Sequence, residues 1–96
     1  MIGVCAKASV TPEGIEAFEK SAQNLVEITR AQDAGCVSYN FGPLVEEGTE
    51  GEYAFLERWE NQEALDAHLA TEHFLHAKSE WETYLAEPLE IYTYQF

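Results

Sequence analysis

The sequence predicts an α+β fold of the split βαβ type, a four-stranded antiparallel sheet with two helices on one face. Three observations carry this expectation. Apolar residues alternate in four short stretches and recur at three- and four-residue steps in two longer ones, in the order strand, helix, strand, strand, helix, strand. At 96 residues the chain suits one domain, residues 1–96, with one modest core. The second and fourth strands carry bulky groups on one parity and only partly polar groups on the other, and the third has Leu56 opposite its aromatic row, yet two helices cover only one face of a sheet. The apolar face left over calls for a second copy of the chain, so a homodimer is expected.

Residues 2–10 place Ile2, Val4, Ala6, Ala8 and Val10 on one side of a first strand. Thr11-Pro12 then starts a helix, with proline at a position that needs no amide proton. Ile15, Phe18, Ala22, Leu25, Val26 and Thr29 form its apolar stripe, and Asp33-Ala34-Gly35 ends the connection. Cys36 to Leu44 is the second strand, with Val37, Tyr39 and Phe41 on one side. Glu46 to Gly51, devoid of apolar residues, is a solvated hairpin loop.

Tyr53 to Trp59 is the third strand, and Asn61 caps the second helix, whose first segment buries Ala64, Leu65, His68 and Leu69. Thr71 is placed to cap a fresh segment that continues through Phe74, Ala77, Lys78, Trp81, Tyr84 and Leu85 until Pro88 stops it. Leu89 to Phe96 is the closing strand. In this order the first strand lies between the third and fourth, so Cys5 and Cys36 fall on non-adjacent strands and are expected to be free thiols.

Charge narrows the range of partners. With 18 acidic and 5 basic residues the formal charge is −13, and the cations are scattered singly. A surface of that sign repels phosphate backbones, so neither nucleic acid nor an anionic membrane is an expected partner. There is no apolar run of spanning length, no signal-peptide pattern and no glycine-rich phosphate cradle, which reads as a cytoplasmic chain without a nucleotide cofactor.

Chemistry concentrates around Glu57 and His68. Glu57 shares its side of the third strand with Tyr53, Phe55 and Trp59, where an ionised carboxylate is costly unless partnered. His68 lies on the apolar face of the following helix, so the two are expected to meet, the carboxylate orienting an imidazole that serves as general base. Trp59, Tyr39, Phe41, Phe55 and Phe74 are the candidate walls of a cleft for a small aromatic molecule. His68 and His73 would lie about 140° apart on a continuous helix, so no metal site is expected, and His73 and His76 read as solvated imidazoles.

The step E-x-W at Glu57–Trp59, followed by Asn61, His68 and Thr71-Glu72-His73-Phe74, resembles the antibiotic biosynthesis monooxygenase family, whose members include small quinol-oxidising proteins. Gly35-Cys36-Val37-Ser38-Tyr39 and the aromatic closing strand extend the resemblance over nearly the whole chain. It implies a ferredoxin-like fold paired into a dimeric α+β barrel. It also implies an oxidoreductase without cofactor or metal: His68 deprotonates a bound quinol or polyphenol, which then reacts with O₂. Relatives that degrade haem hold its iron through a histidine at the position of Lys78, so haem is not implied. Two alternatives stay open, an isomerase that enolises a small carbonyl compound and a non-catalytic ligand-binding dimer.

Overall fold

The computed structural model describes residues 1–96 as one four-stranded sheet with helices on one face. The strands are β1 (Ile2–Ser9), β2 (Cys36–Pro43), β3 (Glu52–Trp59) and β4 (Glu90–Gln95), and the helices α1 (Ile15–Gln32), α2 (Gln62–Leu69) and α3 (Glu72–Tyr84). The order β2-β3-β1-β4, antiparallel throughout, is the expected split βαβ arrangement. Cys5 and Cys36 are free, separated by β3. No helix is long and apolar enough to cross a membrane.

The core sits where α1 and α3 lie on the inner faces of β3 and β1. Phe18, at no exposure, centres it, its ring 5.1 Å from Tyr53 and 5.2 Å from Trp81, and Phe55 lies 5.3 Å from Trp81. The one polar atom of the Trp81 indole is satisfied by the Ser21 hydroxyl on α1, as a buried N–H requires.

Local structure departs from the expected pattern in two places, and the second helical region breaks where the Thr71 cap leads one to expect. Pro12–Gly14 forms a 3₁₀ turn before α1 begins, so Thr11-Pro12 starts that turn rather than the helix proper. A bulge between Cys36 and Ser38 turns Val37 outward, 49% exposed, so it does not share the inner side with Tyr39 and Phe41. The second helical region is two helices. Ala70 ends α2, and the Thr71 hydroxyl accepts the amide proton of Phe74 to cap α3.

β4 is exposed along its length, because the helices stop short of it. On its inner side Ile91 is bare; on its outer side Tyr92 and Tyr94 stand beside Leu56 and Phe96 to form an apolar surface. Tyr94 lies across Gly3, where a Cβ would meet its ring at 2.4 Å.

Gly35 joins this scaffold to the site. Its φ of +82° is a left-handed conformation, and a Cβ there would lie 2.5 Å from the Ala64 side chain, so α2 rests directly on the α1–β2 turn. Gly35→Ala is expected to lower stability by about 1–2 kcal/mol from backbone strain alone. Urea unfolding measures the total, and adding Ala64→Gly should recover the contact part but not the backbone part.

Candidate functional site

Glu57 projects inward from the middle of β3, opposite Tyr39 on β2 and Val4 on β1. Its Oε1 accepts the indole proton of Trp59 at 2.9 Å, a bond between two residues on the same side of one strand. Trp59 is wholly buried, so the carboxylate is the natural partner of a donor that has no water. Burial pushes the Glu57 carboxyl up to about 7, with the Trp59 hydrogen bond pulling the other way.

This carboxyl opens on an apolar cavity of 120 Å³ between α2, α3 and the inner faces of β1, β3 and β4. Ten of its twelve lining residues are hydrophobic, and of the other two, Glu57 and Thr93, only Glu57 titrates in the neutral range. Tyr39, Phe55 and Phe74 are in its wall. Burial, then the nearby Glu57 charge, raises the Tyr39 phenol well above its ordinary value, so Tyr39 holds its proton at neutral pH. Trp59 and Phe41 do not reach the cavity. Trp59 lies behind Glu57, and Phe41 stacks on Phe55 at 5.3 Å on β2.

His68 does not pair with Glu57. Its Nδ1 is 2.6 Å from Oδ2 of Asp33, at the C-terminal cap of α1. The ring is boxed by Trp59, Phe74 and Tyr39, with centroids at 4.7, 5.1 and 5.4 Å, and Nε2 is buried without a partner. Burial lowers the His68 pKa, with Asp33 opposing. His68 is not among the residues lining the apolar cavity, so the expected carboxylate–imidazole pair divides into two separate arrangements, Glu57–Trp59 and Asp33–His68.

The expected separation of His68 and His73 is also corrected. The break at Ala70–Thr71 reorients α3, and His73 Nε2 reaches Oδ1 of the same aspartate at 2.8 Å. His73 therefore is not a free surface imidazole, whereas His76, beside Glu80, is largely exposed. Asp33 is the residue that periodicity missed. Its one sequence signal is an acid at a helix C-terminus, where the macrodipole disfavours negative charge.

A second, larger cavity of 530 Å³ lies between α1 and α3. Its walls are mainly polar and include His73, His76 and Glu80, so it suits water and ions better than an aromatic ring.

Comparison with known proteins follows the same lines. A family model described as antibiotic biosynthesis monooxygenase matches residues 1–80. The "Putative monooxygenase YcnE" of Bacillus subtilis (strain 168) is 33% identical over 95% of this chain and 93% of its own. An uncharacterized protein of Synechocystis sp., sll1783, is 33% identical over 98% of this chain, which spans 62% of that longer protein. A crystal structure of an antibiotic biosynthesis monooxygenase superposes with a TM-score of 0.88 at 29% identity, covering 100% of this chain and 98% of the other.

The raised Glu57 pKa makes a stability prediction. A carboxyl that titrates near 7 in the folded chain and near 4.3 unfolded contributes stability that is full below the unfolded value and lost as pH rises through the folded one. Between pH 5 and pH 8 Glu57 should therefore cost on the order of 3 kcal/mol. Urea unfolding at the two pH values should show a smaller fall for Glu57→Gln than for the natural chain; equal falls would contradict the assignment.

Proposed function

The chain belongs to the antibiotic biosynthesis monooxygenase family, and from that premise we propose that it oxygenates a quinol or polyphenolic ring without a cofactor, with Glu57 as the base. The working unit is residues 1–96 as one domain, paired with a second copy, in the cytoplasm. The observation that carries the reading is the lone carboxyl of neutral pKa in an apolar, aromatic-walled cavity. A base of that strength is half ionised at the working pH and suits removal of a phenolic proton.

The chemistry balances without an external reductant. Glu57 takes the proton of one ring hydroxyl, and the phenolate passes an electron to O₂. The resulting semiquinone and superoxide combine, forming a C–O bond. Glu57 returns its proton to the peroxide, and as the O–O bond breaks the oxygenated carbon loses its C–H proton, so one oxygen stays on the ring as a carbonyl of the hydroxyquinone and the other leaves as water with those two protons. Tyr39, Phe55 and Phe74 would hold the ring against the carboxyl and keep water away. His68, clamped by Asp33 and packed at a tilt on Trp59, supports the indole that in turn orients Glu57.

Pairing is supported by the bare outer face, where Leu56 on β3 lies in register with Cys5, and Cys5 with Tyr92. The outer face also holds Lys7 and Arg58, two of the chain's five cations, so copies meeting there avoid much of the acidic excess. Burying this face would additionally shelter β4 beside the apolar cavity. Light scattering should give twice the 10.8 kDa chain mass, and Tyr92→Glu combined with Leu56→Glu should halve it. A stable monomer of the natural chain would contradict the pairing.

The reaction is tested by oxygen uptake with hydroquinone and 1,4-dihydroxynaphthalene. Glu57→Gln should lower turnover by about 10²-fold or more, and the natural rate should rise with pH through about 7 as the carboxyl ionises. His68→Gln should lower the melting temperature while leaving the rate per folded molecule within about tenfold. Loss of rate in His68→Gln with Glu57→Gln fully active would reverse the roles. Proton exchange into a dicarbonyl compound with no oxygen uptake would favour the isomerase.

A further inference from the structure

Asp33 receives two imidazoles at once. His68 Nδ1 lies 2.6 Å from Oδ2 and His73 Nε2 2.8 Å from Oδ1, and one donor atom from each of the three residues falls within 4.8 Å of the others. The three come from separate elements, α2, α3 and the end of α1, and meet because Thr71 caps α3 after the break.

The unpartnered nitrogen of His68 is a separate observation. With the ring proton on Nδ1, Asp33 is satisfied, but the Nε2 lone pair is buried with no donor. With the proton on Nε2, the Nδ1 lone pair confronts a carboxylate at 2.6 Å. A doubly protonated ring would place a charge on a side chain only 1% exposed. A cation held between Nδ1, the carboxylate and His73 Nε2 removes the opposition of lone pair and carboxylate without charging the buried ring.

We propose that Asp33, His68 and His73 bind one divalent transition-metal ion of the zinc class. Two imidazole nitrogens and one carboxylate oxygen suit such an ion, whereas calcium and magnesium require mostly oxygen. Of the three, His73 also lines the 530 Å³ polar cavity together with Glu72, His76 and Glu80, an approach that carries negative charge. None of the three ligands lines the apolar cavity, so the ion reaches the proposed oxygenation only through the contact of His68 with Trp59. It ties the α1–β2 junction to both halves of the broken helix and stabilises the folded chain by mass action.

The test uses the full chain, stripped with EDTA and desalted, then titrated with Co²⁺ and with Zn²⁺ alone. The expected result is one Co²⁺ per chain with visible absorption of a low-coordinate site, displacement by Zn²⁺, and a melting temperature that rises with Zn²⁺. His73→Gln should weaken binding by more than about 10²-fold, the upper end for losing an outer-shell partner, and Asp33→Asn should do likewise. His76→Gln should bind as the natural chain does. Because His73 is partly exposed, its substitution should fold, and far-UV circular dichroism checks this. Three results overturn the proposal: no saturable uptake up to ~100 µM; uptake unchanged in folded His73→Gln; or uptake lost in His76→Gln and kept in His73→Gln, which would place the ion on exposed Glu72, His76 and Glu80. Each is read from metal uptake, independently of whether any quinol is oxidised.

Discussion

The hydrogen bond from the Trp59 indole to the Glu57 carboxylate joins the two most demanding groups in the sheet: a wholly buried N–H and a carboxyl surrounded by aromatic carbon. Each would be costly alone, since an unpaired buried donor and an unpaired buried charge both lose hydration without return. Together they are tolerated two residues apart on one strand. The compromise leaves Glu57 with one strong donor, too few to hold its pKa down, and so the carboxyl titrates near 7. The same bond that makes the strand foldable thus leaves a base of neutral strength facing a dry cavity.

His68 and its neighbours reinforce that arrangement from behind. The imidazole lies on Trp59 with ring centroids 4.7 Å apart, and Asp33 fixes its other edge. Asp33 in turn depends on Gly35, whose left-handed backbone lets α2 settle onto the α1–β2 turn. His68 lines neither cavity, but it touches residues of both: Tyr39 and Phe74 of the apolar cavity pack on its ring, and His73 of the polar cavity shares its Asp33 partner.

The order of strands and helices was legible because each inner face repeats one parity, as in Ile2, Val4, Ala6 and Ala8 on β1. Alternation failed where backbone geometry changes the parity: the Val37 bulge leaves no trace in hydrophobicity, since valine suits either side. The odd polarity of Glu57 and the aromatic wall of Tyr39, Phe55 and Phe74 were also visible. What was not visible was partnership. Asp33 lies 35 residues from His68, and only the tertiary seat of α2 brings them together. The angle of about 140° between His68 and His73 holds only on an unbroken helix, and the break capped by Thr71 alters every distance beyond it. β4 is bare along its length in the lone chain, on the inner side as well as on the outer face that the two helices were expected to leave uncovered.

The central claim is that a ring docks in the apolar cavity with its hydroxyl on Glu57. A crystal structure of the chain with 1,4-dihydroxynaphthalene, grown without oxygen, tests it most directly. The account predicts the ring between Tyr39, Phe55 and Phe74, one hydroxyl oxygen about 2.6–3.2 Å from a Glu57 carboxylate oxygen. A ring seated instead in the polar cavity between α1 and α3, or turned so that no hydroxyl approaches Glu57, would contradict it.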